Sequence, residues 1–316
     1  MRFITVRRAA HDPATATHPA THPTTPVDGL GLLCADDDGA SAHVLWADAA
    51  AFPGTLDVLV AAGDAALRSA ADRLLTHGER LPLQAVTLLP PLRQPGKIIC
   101  IGLNYIDHSL ESGFEPPSYP AVFSRYASSL IGAGAPIVRP RVSPQLDYEG
   151  ELVAVIGKRG RHIPLARALD HVLGYSVFND ASVRDYQFKS AQWTLGKNFD
   201  DSGAFGPALV TADELPPGAR GLRLQTRLNG QLLQSVTTSD MIFDVAALVS
   251  LLSVAHTLEP GDLIVAGTPS GVGLARQPPV WMQPGDVCEV EIERIGLLRN
   301  PIVAEEACDD VRPTVA

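Results

Sequence analysis

The chain has 316 residues, of which 46% are hydrophobic and 19% charged, enough for one large core or a main domain with a smaller appendage. Its formal net charge of −10, without clustered Lys and Arg, argues against a phosphate-backbone partner, so no nucleic acid is expected. No apolar run approaches the roughly 20 residues of a bilayer span, and Met1 to Thr5 leads into basic residues without a signal-type apolar core; no membrane is expected and the chain reads as cytoplasmic.

Arg2 to Val6 and Gly29 to Cys34 are predicted strands, separated by a Pro-, Thr-, Ala- and His-rich stretch from His11 to Pro26 that reads as a loop. His11, His18 and His22 lie in it at irregular spacing and are assigned to solvent rather than to a metal. Ala65 to His77 has helical apolar spacing, and the Pro-Gly-rich run Leu89 to Gly96 reads as a linker. This divides a small amino-terminal domain (1–92) from a larger domain (93–308) and a tail (309–316). Cys34, Cys100, Cys288 and Cys308 show no zinc or redox spacing and read as free thiols.

Beyond Lys97 strands dominate: Ile98 to Ile101, Leu152 to Ile156, Gly174 to Asn179, Leu222 to Leu228, Leu263 to Ala266 and Val287 to Ile292. One helix starts at Pro164, and another runs from Asp244 to about Leu258 with a core stripe of Val245, Leu248, Val249, Leu252 and Ala255. Strands without regularly alternating helices, together with Pro-Gly turns at 260–261 and 284–285, favour a β-rich α+β domain over a doubly wound sheet.

Within that frame, His108 and Glu111 stand at i,i+3 after the first of these strands, so one helical turn lets the carboxylate orient the imidazole for general-base work. The Gly and Pro residues of Ser112 to Pro117 suit a lid over substrate. In Asp147-Tyr148-Glu149-Gly150-Glu151, strand alternation sends Glu149 and Glu151 to one face while Leu152, Ala154 and Ile156 pack the other. Two like charges beside a buried sheet call for a cation or a proton, and a hard divalent metal is the natural occupant.

Asp180 closes a predicted strand, and on a helix Arg184 and Gln187 share its face; the three can hold a metal and a carboxylate substrate, or Asp180 and Arg184 can form a plain i,i+4 ion pair. Lys197, flanked by aromatics and Gly196, fits either a cleft or the surface. The loop Gly267 to Gly273 follows a strand and can bring backbone N–H groups to an anion, but it lacks the Gly-Lys-Ser/Thr ending of a Walker A loop. Glu289, Glu291 and Glu293 also alternate, opposite Cys288, Val290 and Ile292; with no further acid, Lys or His motif following, they read as a half-solvated strand.

Taken in order, Gly102-Leu103-Asn104-Tyr105 with His108 and Glu111, Glu149-Gly150-Glu151-Leu152, Asn179-Asp180 with Arg184-Asp185 and Gln187, Gly196-Lys197, and Gly267-Thr268-Pro269-Ser270-Gly271-Val272-Gly273 resemble the fumarylacetoacetate hydrolase family over roughly residues 97 to 300. The resemblance implies a mixed β-roll catalytic domain, Mg2+ or Mn2+ on Glu149, Glu151 and Asp180, a 2-oxo acid substrate and a homodimer. It further implies His108 and Glu111 as a water-activating pair, Lys197 as an oxyanion stabiliser, and Arg184, Gln187, Lys197 and Thr268 around the substrate. Arg125 is a departure, since many relatives carry lysine there, and Arg changes reach and hydrogen-bond geometry.

The leading expectation is therefore a metal-dependent hydrolase that cleaves a C–C bond of a 2,4-diketo acid (acylpyruvate-type) substrate. The alternative is a decarboxylase, isomerase or hydratase acting on an unsaturated 2-oxo diacid of aromatic catabolism. A non-catalytic oxo-acid binder is disfavoured, because binding alone needs no base.

Overall fold

In the computed structural model, residues 1–8, 26–36, 39–111, 115 and 117–306 are described. His11, His18, His22 and Cys308, the tail 309–316 and most of the expected lid (112–114 and 116) lie outside the described residues. The fold is mixed and strand-rich, as the periodicities require. One 12-stranded sheet runs, in spatial order, through Glu79–Pro82, Ser41–Trp46, Val27–Leu33, Arg2–Arg8, Gly203–Thr211, Val172–Asp180, Gly150–Ile156, Leu263–Val265, Ile98–Gly102 and Ala121–Arg125, with Thr87–Leu89 pairing with Arg2–Arg8 and Leu130–Ile131 with Gly203–Thr211 off this path. A five-stranded sheet of Gln231–Thr237, Arg223–Leu228, Val287–Ile292, Gly296–Ala304 and Ile137–Arg139 packs against it.

The first ninety residues are joined to the rest by backbone pairing as well as by side-chain packing. Arg2–Arg8 pairs antiparallel with Gly203–Thr211, with Phe3 opposite Leu209. Phe3, Leu30, Leu59 and Leu74 share one apolar cluster with Ile98, Val153, Val155 and Phe178. The helix Asp64–His77 supplies Leu67, Ala70, Ala71 and Leu74 to that cluster, a 3.6-residue stripe.

At the centre, Gly150–Ile156 is buried along its whole length. Val153 and Val155 pack into the cluster shared with the amino-terminal residues, whereas Leu152, Ala154 and Ile156 pack into the main core, as alternation demands. At Gly150 the second sheet presses close: a Cβ there would lie 2.2 Å from Thr226 Oγ1 and 2.9 Å from a Val290 methyl. The glycine between the two glutamates is thus a packing requirement.

Two helix expectations change in detail. The segment after Pro164 is a 3-10 helix, Leu165–His171, and the helix Val245–Ala255 buries Ser253 where Ala255 was expected. That helix is capped by Asp244, whose side chain accepts from Ala247 N at 2.9 Å. Cys34, Cys100 and Cys288 are free and buried. No helix among the described residues is long and apolar enough to cross a membrane.

Candidate active site

The site is built on the run Asp147 to Glu151. Leu146–Asp147 pairs with Ser182–Val183, and the chain then enters the central strand. Alternation puts Asp147, Glu149 and Glu151 on one side. Neighbouring Val172–Asp180 ends beside them, with Asp180 N donating to Glu149 O at 2.9 Å. Ligand oxygens of Glu149, Glu151 and Asp180 all lie within 4.8 Å of one another, and the three residues are buried.

Three buried cations interleave with these acids. Arg184 Nη1 is 2.6 Å from Glu149 Oε1, and its Nη2 is 2.8 Å from Asp147 Oδ2. Lys197 Nζ donates to Glu149 Oε2 at 2.7 Å and to Asp180 Oδ2 at 2.6 Å, and lies 5.0 Å from the Phe123 ring centre. Arg125 bonds Asp180 Oδ1 through Nη1 and Ser202 Oγ at 2.6 Å through Nη2.

The helix expected to carry Asp180, Arg184 and Gln187 on one face does not form. Asp180 is held in the sheet ladder by its own N–H, and only Arg184–Gln187 makes a helical turn. The i,i+4 Asp–Arg pair is accordingly not made: Arg184 turns to Asp147 and Glu149, and Asp180 takes Arg125 and Lys197. Gln187 Oε1 accepts from Arg184 Nη1 at 2.9 Å. Lys197 is only 2% exposed, so the surface alternative for it is excluded.

His108 and Glu111 sit on the short helix Ile106–Glu111, with Nδ1 and Oε1 3.1 Å apart. His108, Glu149, Glu151, Arg184, Gln187, Lys197 and Thr268 all line one cleft, which Phe123, Trp193 and Val272 wall on the apolar side. Asp180 lies beneath Lys197, and Glu111 stands one bond behind His108.

The loop after Leu263–Val265 does offer its backbone N–H groups to anions, and the anions are the protein's own. Gly267 N donates to Glu151 at 2.6 Å, Gly271 N to both oxygens of Glu111 at 2.9 Å, and Gly273 N to Asp147 at 2.7 Å. Thr268 Oγ1 donates to Gly150 O at 3.0 Å and accepts from Gln234 Nε2 at 2.9 Å, leaving the hydroxyl proton committed to the fold.

Asp147 and Gln234 were given no role at the level of sequence. Asp147 had a legible signal, since it continues the alternation of Glu149 and Glu151 by two residues. Gln234 had none, because it reaches the loop from the second sheet.

Four acids, Asp147, Glu149, Glu151 and Asp180, stand against three cations, Arg125, Arg184 and Lys197, all buried. Burial alone would raise the Glu149 carboxyl, but Lys197, then Arg184 and His108, outweigh it and hold it down at about 2. Glu151 forms no ion pair among the described residues, and the pull of Lys197 on it does not prevail. Burial, then the Asp180 and Glu149 charges, push its carboxyl well above the ordinary range. One acid is thus short of a cation, beside two others that offer oxygen ligands in a buried site. These residues fit a hard divalent metal ion.

Residues 97–303 match the family model described as fumarylacetoacetate (FAA) hydrolase C-terminal. The mitochondrial oxaloacetate tautomerase fahd2 of Xenopus laevis is 44% identical over 243 residues, 76% of this chain and 76% of that one. The solved fumarylacetoacetate hydrolase from psychrophilic Exiguobacterium antarcticum is similar with a TM-score of 0.76 and 33% identity, covering 96% of this chain and 100% of that chain. The maleylpyruvate hydrolase of Sphingobium sp. SYK-6, solved in complex with manganese(II) and pyruvate, gives a TM-score of 0.75 at 26% identity over 97% of this chain and 100% of that chain.

Proposed function

The chain belongs to the fumarylacetoacetate hydrolase family, and from that footing we propose that it is a divalent-metal-dependent enzyme interconverting the keto and enol forms of a short 2-oxo acid of the oxaloacetate type. The observation that carries this reading is the His108–Glu111 pair at 3.1 Å, whose imidazole lines the same cleft as Lys197, Glu149 and Glu151, with Asp180 beneath Lys197. The 44% identity with an oxaloacetate tautomerase supports the choice of substrate.

A cation held by Glu149, Glu151 and Asp180 supplies Lewis-acid polarisation of the substrate's carboxylate and 2-oxo oxygens. His108, with Nδ1 turned to Glu111, uses Nε2 to take the proton from C3 and deliver it to the 2-oxygen, giving the enol, and the reverse transfer restores the keto form. Lys197 holds the negative charge that develops on the 2-oxo oxygen. Trp193, Phe123 and Val272 keep water from the apolar side of the cleft. The oxygen-rich ligand set suits Mg2+ and Mn2+ alike, and the manganese in the maleylpyruvate hydrolase complex supports Mn2+. A homodimer belongs to the same proposal, and light scattering showing twice the chain mass checks it.

A second reading is C–C hydrolysis of a 2,4-diketo acid, favoured by the same imidazole–carboxylate pair and by the likeness to maleylpyruvate hydrolase. In it, His108 removes a proton from the water that attacks the 4-oxo carbon. The C3–C4 bond breaks, giving a carboxylic acid and the enol of pyruvate.

To choose between them, metal-stripped protein is reloaded with Mg2+ or Mn2+ and offered enol-oxaloacetate and acylpyruvates, following the ultraviolet absorbance of the enol and identifying products by mass. Metal-dependent loss of the enol signal at constant substrate mass establishes the tautomerase. Pyruvate plus a carboxylic acid from acylpyruvates establishes the hydrolase instead.

A further inference from the structure

We infer that Arg276 is a positioning residue for the catalytic pair, acting on Glu111 through Gly271; the inference rests on the proposed role of His108 and Glu111. Gly271 is bonded on both sides. Its N–H donates to Glu111 Oε1 and Oε2, each at 2.9 Å, and its carbonyl accepts from Tyr148 Oη at 3.0 Å and Arg276 Nε at 3.3 Å.

Arg276 is itself anchored at three points. Nε also reaches Tyr148 Oη at 3.1 Å, and Nη2 donates to Leu233 O at 2.7 Å. The guanidinium therefore ties the Gly271 turn to the second sheet and to the residue directly before Glu149. A planar fork does this; a lysine ammonium cannot match three acceptors in fixed directions.

The position admits only glycine. Gly271 has φ +99°, and a Cβ there would lie 2.3 Å from Leu233 O. The close approach that excludes a side chain is what brings Leu233 O within reach of Arg276. Tyr148 is 0% exposed, so its ring cannot move aside. The consequence is a Gly271 turn fixed at its carbonyl, whose N–H, in the preceding peptide, is presented to both oxygens of Glu111. Glu111 in turn sets where the His108 ring points. No hydrogen bond among the described residues joins Arg276, Tyr148 or Gly271 to the acidic trio, which Tyr148 meets only as the chain neighbour of Glu149, so the hydrogen-bonded link runs to the base.

The test compares Arg276→Met, Arg276→Lys and Tyr148→Phe with the unaltered chain, all loaded with Mn2+. Hydrogen exchange over residues 106–111 and turnover of enol-oxaloacetate are measured for each, alone and with Glu111→Gln added. The expected result is faster exchange in 106–111, a fall in kcat of about tenfold or more for Arg276→Met, partial recovery with Arg276→Lys, and unchanged Mn2+ affinity. With Glu111→Gln already present, Arg276→Met is expected to cost nothing further.

Unchanged exchange in 106–111 for both Arg276→Met and Tyr148→Phe overturns the inference whatever the activity. An equal loss of kcat with and without Glu111→Gln overturns it too, since Arg276 would then act on the fold at large. Full turnover by His108→Ala would instead sink the proposed function, and the exchange measurement still decides whether Arg276 holds the 106–111 helix.

Discussion

Lys197 and Asp180 meet at 2.6 Å in the floor of the cleft, and the same ammonium reaches Glu149 at 2.7 Å, so a protein cation bridges two of the three carboxylates suited to a metal. In the metal-free protein this bridge offsets charge that would otherwise repel. Burial lowers the Lys197 ammonium, but Asp180 and Glu149 overcome that and raise it. Lys197→Met leaves both acids without this partner. A stability loss of about 3–5 kcal/mol is expected without metal, smaller with Mn2+, and kcat is expected to fall about 100- to 1,000-fold. Melting curves with and without Mn2+ check it; equal losses in both conditions would show that Lys197 does not share the metal's ligands.

Glu151 leads to the opposite sign for stability. Its one hydrogen-bond donor among the described residues is Gly267 N at 2.6 Å, and the amide oxygen introduced by Glu151→Gln can still accept that bond. The substitution removes the charge that burial, Asp180 and Glu149 oppose. The metal-free variant should therefore be more stable than the parent by about 1 kcal/mol or more, while the Mn2+-induced rise in Tm should be lost. A Glu151→Gln protein that is less stable without metal yet binds Mn2+ as tightly would refute both halves.

The pH dependence follows from the same residues. The native carboxyl of Glu151 is raised, and so is that of Asp147, by burial against the pull of Arg184. The metal-free native state thus holds protons that the unfolded chain gives up near the ordinary carboxylate value of about 4. Stability from these two groups is complete below that value and is lost as pH rises above it. Glu149 runs the other way, with stability present above the ordinary value and lost as pH falls through about 2, a lower window. As pH rises above the ordinary carboxylate value, the metal-free protein should lose stability. Over the same interval the Tm gain from Mn2+ should grow, because the metal needs Glu151 without its proton. Calorimetric scans across that range, with and without metal, test the sign.

Much of this was readable in the sequence, and the misses have two causes. Val287–Ile292 and Asp64–His77 announced themselves because their apolar residues recur at period 2 and 3.6. The strands Ser41–Trp46, Gly203–Thr211 and Gln231–Thr237 did not, because Pro, Gly and polar residues within or beside them blur any period. Glu149 and Glu151 could be grouped because strand alternation is a local signal, whereas Asp180 joined them through the family resemblance. Arg184 could not be paired correctly from spacing alone, since its partner Asp147 is 37 residues away. Arg276 carried no signal, because its work depends on a glycine turn and a tyrosine brought together by folding.

The second acidic row supplies a control. Glu289 and Glu291 alternate along Val287–Ile292 as Glu149 and Glu151 do along theirs, yet the Glu291 side chain is 39% exposed and pairs with Arg227 at 2.8 Å, whereas the Glu149 side chain is 6% exposed. Water screens the first pair and not the second, so alternation of acids is only as consequential as the dielectric around it. Glu291→Gln should shift stability by no more than about 0.5 kcal/mol and leave Mn2+ affinity and turnover unchanged. Glu149→Gln should abolish the Mn2+-dependent rise in Tm and strip Arg184 and Lys197 of a shared partner. Isothermal titration with Mn2+ on the two variants decides the matter: comparable weakening in both would mean that net acidity of the chain, and not the buried geometry at the strand end, governs metal binding.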